Sequence, residues 1–123
     1  MTDSVGRRFV DAVAAKDAAA LTALIADEVD FKGLTPGRFW EASTPAQVVD
    51  VVLGHWFGEE DLVTDVAWVE DGEPVGDTQR VGYRLMVTNA GGPHLVEQQV
   101  YYREHSGQVS YARVVCSGYR PAV

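Results

Sequence analysis

The last third of the chain consists of three long runs of strand-forming residues separated by short turns. The runs are TQRVGYRLMVTN, HLVEQQVYYRE and QVSYARVVCSGY, and they occupy residues 78–119. The intervening segments AGGP (90–93) and HSG (105–107) have the composition of hairpin turns. An earlier run, LVTDVAWV (62–69), also alternates and is followed by turn-forming residues 70–77. This pattern predicts four consecutive antiparallel strands.

Apolar residues recur at helical spacing in three segments of the first half. In the first segment, which follows the capping residue Ser4, they are Val5, Phe9, Val10 and Val13. In the second segment, capped by Asp17, they are Ala20, Leu21, Leu24 and Ile25. The third segment has Pro45 at its first helical position, after the capping candidates Ser43 and Thr44. These patterns predict three helices.

Two parts of the first half are open to more than one interpretation. The third helical segment is rich in valine, a poor helix former, so a strand over residues 48–53 is the alternative; the Pro45 start and the spacing favour the helix. Residues 29–31 predict a short strand, and the glycines and proline of residues 33–37 predict a loop carrying Phe39 and Trp40. This loop is either a hydrophobic plug for the open end of the sheet or a pocket wall.

The order of elements is helix, helix, short strand, helix and then four antiparallel strands. This order predicts an α+β fold in which the helices gather on one face of a sheet. The chain has 123 residues, which fits one domain over residues 1–123.

Composition narrows the possible partners. Hydrophobic residues make up 46% of the chain, which allows a packed core, and the formal net charge of -8 opposes binding to nucleic acid. The apolar runs are shorter than the ~20 residues of a membrane helix, and no signal peptide is evident. We therefore expect a cytoplasmic protein with no membrane or nucleic-acid partner. The three histidines and single cysteine do not match zinc spacing, so no metal site is expected.

Three segments of the sequence resemble the NTF2-like (SnoaL-like) superfamily. They are AAKDAAALTALIADEVDF (14–31), the helix that begins at Pro45, and YYREHSGQVSYARVVCSGYRP (101–121). The resemblance implies a cone-shaped fold in which a curved antiparallel sheet and three helices enclose one pocket. It also implies homodimerisation through the outer face of the sheet, and the apolar residues on both faces of the last strands are compatible with that.

Alternation sorts the strands of the sheet into two faces. Tyr83 falls on the inner face of its strand and Cys116 on the inner face of the last strand. For HLVEQQVYYRE the two lines of reasoning disagree. Hydrophobicity sends Val96 and Val100 inward, whereas the resemblance places Gln99 where ketosteroid-isomerase-like members hold a pocket-facing acid. We follow the resemblance, which turns Glu97, Gln99 and Tyr101 inward.

These assignments predict an aromatic pocket with few polar groups, typical of a site for a small apolar ligand. Its predicted ligand-binding residues are Phe31, Trp40, Trp56, Tyr83, Gln99, Tyr101 and Cys116. Glu97 and His55 are candidate proton carriers, and Tyr83 is a candidate donor to a substrate carbonyl. Each has a structural alternative: Glu97 as the cross-strand partner of an arginine, His55 at the C-terminal end of its helix, Tyr83 with a locally satisfied hydroxyl and Cys116 as a small core residue.

Three hypotheses for function follow. The first is an NTF2-like domain that binds a small apolar ligand. The second is a cofactor-independent SnoaL-like isomerase, dehydratase or cyclase in which Glu97 or His55 carries the proton. The third is a dimeric scaffold domain with a filled core. Ketosteroid isomerisation is disfavoured, because Gly33 and Gln99 fall where the resemblance places that enzyme's general base and its oxyanion acid.

Overall fold

The first two helices begin where the sequence predicts them. The computed structural model describes residues 3–122. Helix α1 (Val5–Ala14) follows Ser4, whose hydroxyl accepts a hydrogen bond from the Arg7 N–H at 3.0 Å. Helix α2 (Ala18–Leu24) follows Asp17, whose carboxylate accepts from the Ala20 N–H at 3.0 Å. Within residues 3–122, no helix combines the length and the apolar character that crossing a membrane requires.

The third helix changes its winding part-way along. Helix α3 (Pro45–Val49) is capped by Thr44 and continues as a π-helical segment, Asp50–Trp56. The Phe57 N–H donates to the Val52 carbonyl, five residues earlier, at 2.9 Å. The helical prediction for the valine-rich segment is therefore confirmed. π-helical turns are rare in proteins overall. Those that do occur are often found at functional sites.

Seven strands form one curved sheet. They are β1 (Ile25–Thr35), β2 (Arg38–Ala42), β3 (Leu62–Asp71), β4 (Gln79–Asn89), β5 (Gly92–His105), β6 (Gln108–Cys116) and β7 (Arg120–Pro121). The spatial order is β2-β1-β6-β5-β4-β3, and β7 pairs with the start of β5. Strands β1 and β6 are parallel and all other pairs are antiparallel, so the sheet is mixed. The α+β prediction is confirmed, with one parallel pair that the sequence did not indicate.

The segment after helix α2 is more extended than its sequence suggests. The predicted strand over residues 29–31 is the eleven-residue strand β1, and the predicted loop carrying Phe39 and Trp40 is strand β2. The two strands form a hairpin that turns at Gly37, which has a φ of +78°. Strand β1 is long because β2 and β6 supply backbone hydrogen-bond partners on both of its sides. The strand propensity of residues 25–35 does not indicate these distant partners.

Hydrophobic alternation, and not the family resemblance, sets the faces of strand β5. Its buried residues are Val96, Gln98, Val100 and Tyr102. The predicted inward orientation of Glu97, Gln99 and Tyr101 is wrong, because these alternate residues lie on the outer face. The physical reason is that the helices cover only one face. Either choice buries a glutamine amide, but the observed one also buries two valines and a tyrosine and leaves the Glu97 carboxylate outside.

Helix α1 approaches the sheet closely at a glycine. The Gly6 N–H donates to the buried Tyr102 hydroxyl at 2.9 Å. A Cβ atom at residue 6 would lie 2.8 Å from both that oxygen and Cβ of Val81. The hydrogen bond and the close contact therefore both depend on the absence of a side chain at this position.

We expect Gly6→Ala to lower the free energy of unfolding by about 1–3 kcal/mol, because the added methyl group overpacks the contact between helix and sheet. At an ordinary position inside a helix the same change raises the free energy of unfolding by up to ~1 kcal/mol. A decrease would therefore indicate the close contact between helix and sheet. Urea denaturation measures the effect. The matched control is Gly54→Ala, at an exposed helical position, which should be neutral or stabilising. A Gly6→Ala variant as stable as the wild type would contradict the packing described.

Candidate functional site

A pocket of about 440 Å³ lies at one end of the sheet. It is enclosed by the end of the π-helical segment, the turn between β1 and β2, the inner face of β5 and β6, and the C-terminal residues that follow β6. Its lining residues are Thr35, Pro36, Trp40, His55, Trp56, Phe57, Val96, Gln98, Cys116, Ser117, Gly118, Tyr119 and Arg120. This volume is within the usual range for sites that hold small molecules.

Two tryptophans form an aromatic wall. The rings of Trp40 and Trp56 meet edge to face, with centroids 6.3 Å apart and planes at 86°. The Trp40 indole N–H donates to the Thr35 hydroxyl at 2.8 Å, and the Arg38 guanidinium lies 3.7 Å from the Trp40 ring centroid. Edge-to-face stacking and the cation–π contact hold the two indoles of this wall in place.

Gly33 on strand β1 makes room for Trp56. A Cβ atom at residue 33 would lie 2.6 Å from the Trp56 ring, so any other residue there would displace the indole. The position that the resemblance assigns to a general-base aspartate is therefore covered by the aromatic wall. This packing explains why the pocket carries no carboxylate at that point.

Tyr83, Gln98 and Cys116 form a row across the inner face of three adjacent strands. Gln98 on β5 is paired directly with Tyr83 on β4 and with Cys116 on β6. The Tyr83 hydroxyl donates a hydrogen bond to Gln98 Oε1. Burial, with a smaller effect of Cys116, raises the pKa of Tyr83, so its hydroxyl keeps its proton and remains a donor.

Apart from buried tyrosines and a tryptophan, Gln98 is the one buried residue with a polar side chain within residues 3–122, with 1% of its surface exposed. Its Oε1 is occupied by Tyr83, but its Nε2 has no hydrogen-bond partner among the described residues. Gln98 is one of the lining residues, so this buried N–H donor belongs to the wall of the pocket. A buried donor without an acceptor costs about 1–3 kcal/mol.

The residues after strand β6 close one side of the pocket. Gly118 has a φ of +73° and packs against Pro36, and its N–H donates to Cys116 Sγ at 3.3 Å. The Tyr119 hydroxyl donates to the Trp56 carbonyl at 2.7 Å, and β7 then pairs with β5. Burial raises the pKa of Tyr119 as well, so this hydroxyl also stays protonated. The C-terminal segment is thus fastened to both the helix and the sheet.

The structure brings four of the predicted site residues together. Trp40, His55, Trp56 and Cys116 line the pocket. His55 lies at its rim, where the ring is half exposed, 3.4 Å from the Asp50 carboxylate and stacked on Trp40 with centroids 5.2 Å apart. Phe31 and Tyr83 are fully buried behind the pocket, Phe31 against Trp56 with centroids 5.8 Å apart.

The other three predicted residues lie outside the pocket, on the outer face. Glu97 accepts a hydrogen bond from its cross-strand neighbour Arg84 at 2.9 Å, which is the alternative that the sequence left open. Gln99 accepts from Arg80 at 2.6 Å, and Tyr101 is 41% exposed. Their prediction as pocket residues fails because the face assignment of strand β5 was wrong.

Sequence reasoning missed the other lining residues, which are Thr35, Pro36, Phe57, Val96, Gln98, Tyr119 and the remaining C-terminal residues. The signal for Gln98 was present, since it shares a face with Val96, Val100 and Tyr102, and their hydrophobicity marks that face as buried. No comparable signal marks Tyr119, because its position depends on a chain reversal after β6. Within residues 3–122 no group of three potential metal-ligating side chains clusters, and no carboxylate lines the pocket.

Solved structures share this architecture. A candidate isomerase from Bacillus subtilis matches with a TM-score of 0.76 at 13% identity, over 92% of this chain and 84% of that one. A protein from Catenulispora acidiphila with a ketosteroid isomerase-like fold, solved in complex with trimethylamine, matches with a TM-score of 0.71 at 14% identity, over 95% and 88%. A candidate SnoaL-like polyketide cyclase from Mesorhizobium loti matches with a TM-score of 0.66 at 17% identity, over 89% and 94%. No family model and no curated protein matches the sequence.

The chain has the NTF2-like fold. The resemblance seen in the sequence is thereby confirmed for the architecture of three helices on a curved sheet. At identities of 13% to 17% the likeness shows the fold alone. The function of this NTF2-like chain has to be argued from its own pocket.

We expect Tyr83 to make the protein sensitive to alkali. Above pH ~10 the unfolded chain loses the tyrosine proton that the folded chain keeps, so the free energy of unfolding falls by up to about 1.4 kcal/mol per pH unit for this group. Tyr83→Phe should reduce that slope by the same amount between about pH 10 and 12, as measured by urea denaturation at each pH. Tyr101→Phe, on the outer face, is the matched control and should keep the wild-type slope. Equal slopes for Tyr83→Phe and wild type would contradict the raised pKa that burial gives Tyr83.

Proposed function

We propose that this NTF2-like protein binds a small, mainly apolar molecule that carries a hydrogen-bond acceptor such as a carbonyl oxygen. The single observation behind the proposal is the unpaired Nε2 of Gln98 in the lining of an aromatic pocket. An acceptor on the ligand would satisfy this donor, and the apolar remainder would pack against Trp40 and Trp56.

The surroundings of Gln98 support an acceptor and not a donor on the ligand. Its Oε1 already accepts from the Tyr83 hydroxyl, which leaves Nε2 as the end without a partner. The amide is therefore held with its nitrogen as the available end. Preorganisation of this kind reduces the entropy lost when a ligand binds.

The charge of the lining supports a neutral or anionic ligand. The basic residues that line the pocket are His55 and Arg120, and no carboxylate among the described residues joins them. An ammonium group would thus find no counter-ion in this lining and would lose hydration on entry.

The enzyme hypothesis retains one of its two proton carriers. Glu97 is paired with Arg84 on the outer face, away from the pocket. His55 remains at the rim, but it is half exposed and 3.4 Å from Asp50, and Gly33 supplies no carboxylate opposite it. We therefore favour binding over proton transfer. The open pocket of about 440 Å³ argues against a scaffold with a filled core.

The test compares benzylacetone with butylbenzene, which has the same skeleton without the carbonyl oxygen. We expect benzylacetone to bind about tenfold more tightly, because only its oxygen can accept from Gln98 Nε2. NMR titration follows the side-chain amide signals of Gln98 and the indole N–H signals of the pocket tryptophans.

Matched glutamine variants distinguish the pocket donor from a general effect. Gln98→Met should abolish the preference for benzylacetone, whereas Gln99→Met, one residue along the same strand on the outer face, should leave it unchanged. Equal affinity for both compounds in the wild type, or no shift of any pocket signal, would overturn the proposal.

We also propose that a second copy of the chain covers the outer face of the sheet. Phe39, Leu34 and Val115 are paired in a row across β2, β1 and β6, and each is at least half exposed. We call this row the outer strip. Adjacent exposed apolar residues are typical of protein interfaces, and a two-fold axis through such a strip would bring it against itself.

We expect the wild type to sediment at micromolar concentration as a dimer, twice the 13.4 kDa chain mass. Val115→Arg should give a monomer. Each copy would contribute one arginine to the two-fold interface, and burying two unpaired like charges there is unfavourable. Val75→Arg, at an exposed apolar position in the connection between β3 and β4, is the control and should remain a dimer. Sedimentation equilibrium measures all three proteins, and a monomeric wild type would contradict the interface.

A further inference from the structure

The single cysteine of the chain lies beside Gln98, whose Nε2 is one of two unpaired N–H donors in the pocket lining, the other being the indole N–H of Trp56. Cys116 and Gln98 are direct partners in the antiparallel pair of β5 and β6, and both face inward. The Cβ atoms of such partners are about 4.5–5.5 Å apart. A ligand whose oxygen accepts from Gln98 Nε2 is therefore within reach of the Cys116 sulfur.

We propose that the pocket captures α,β-unsaturated ketones covalently, through addition of the Cys116 thiol to the β-carbon of the enone. The inference rests on the proposed function, because the same Gln98 donor holds the carbonyl oxygen. Gln98 is an independent observation that points to a ligand, since its side chain is 99% buried, unpartnered at Nε2 and part of the same lining.

The reaction is a conjugate addition and needs no oxidant, reductant or metal. The Cys116 sulfur gives up its proton to water and forms a bond to the β-carbon, while the carbon–carbon π bond breaks and its electron pair moves towards the carbonyl oxygen. The resulting enolate takes a proton from water at the α-carbon. The product is a saturated ketone joined to the protein through a thioether.

Two N–H groups assist at the two ends of this conjugated unit. Gln98 Nε2 donates to the carbonyl oxygen, where negative charge develops, and such donors lower the barrier when they are oriented in advance. The Gly118 N–H donates to Cys116 Sγ at 3.3 Å and stabilises negative charge on the attacking sulfur. Tyr83 acts as a positioning residue, because it fixes the orientation of the Gln98 amide.

The experiment exposes the protein to benzylideneacetone and measures adducts by intact-mass spectrometry with peptide mapping. We expect one adduct on Cys116 in the wild type and none in Cys116→Ala. Methyl methanethiosulfonate, a thiol reagent without a carbonyl group, reports the intrinsic reactivity of Cys116. Gln98→Met should slow the addition of benzylideneacetone about tenfold while changing the reaction with methyl methanethiosulfonate less than about twofold. Gln99→Met should change neither rate.

Two further measurements keep the outcome clear. If Gln98→Met is poorly folded, Tyr83→Phe/Gln98→Met removes both partners of the buried hydrogen bond and should show the same selective loss. In the unmodified protein, benzylacetone should protect Cys116 from both reagents.

The proposal is overturned if the wild type forms no adduct, or if the Gln98 variants slow both reagents equally. Binding of benzylacetone to Cys116→Ala is measured separately, because it tests carbonyl binding in the pocket without any covalent reaction. If benzylacetone binds but benzylideneacetone forms no adduct, covalent capture is wrong and carbonyl binding stands. If benzylacetone does not bind, both fail.

Discussion

Strand β5 is the constraint on which the rest of the structure depends. It lies between β4 and β6 and also pairs with β7, so its register determines which residues meet on the inner face. Because side chains alternate strictly along a strand, one choice of face assigns all of them. Burial of Val96, Val100 and Tyr102 makes that choice, and it takes Gln98 inward as a consequence.

The inward glutamine gives the pocket its chemical character. A buried amide has a donor and an acceptor to satisfy, and the neighbouring strand supplies Tyr83 for the acceptor only. The resulting unpaired donor is a cost in the free protein. That cost is the reason to expect a ligand oxygen, and the adjacent Cys116 is the reason to expect that some ligands react.

The pocket of this chain departs from what the family resemblance implied. Gly33 leaves space that the Trp56 indole fills, so an aromatic surface lies where the resemblance implied an acid. Glu97 is neutralised by Arg84 on the opposite face of the sheet. What remains in the pocket is a set of aromatic contacts with an N–H donor and a thiol, which suits recognition of a carbonyl compound better than transfer of a proton.

The sequence by itself determined the elements whose signals are local. Capping by Ser4 and Asp17, the Pro45 start and the hairpin turns all follow from interactions between residues close in the chain. The family resemblance correctly indicated the fold but misdirected the assignment of Glu97 and Gln99, because a shared fold does not fix the register of individual side chains.

Only the tertiary structure decided the features that depend on distant partners. The parallel pairing of β1 with β6, the row of Tyr83, Gln98 and Cys116, and the return of Tyr119 to Trp56 each join separate parts of the chain. Their energies depend on which surfaces meet after folding, and local propensity contains no information on that choice. The candidate site is composed mainly of such contacts, which is why Tyr119 and the other C-terminal lining residues were not foreseen.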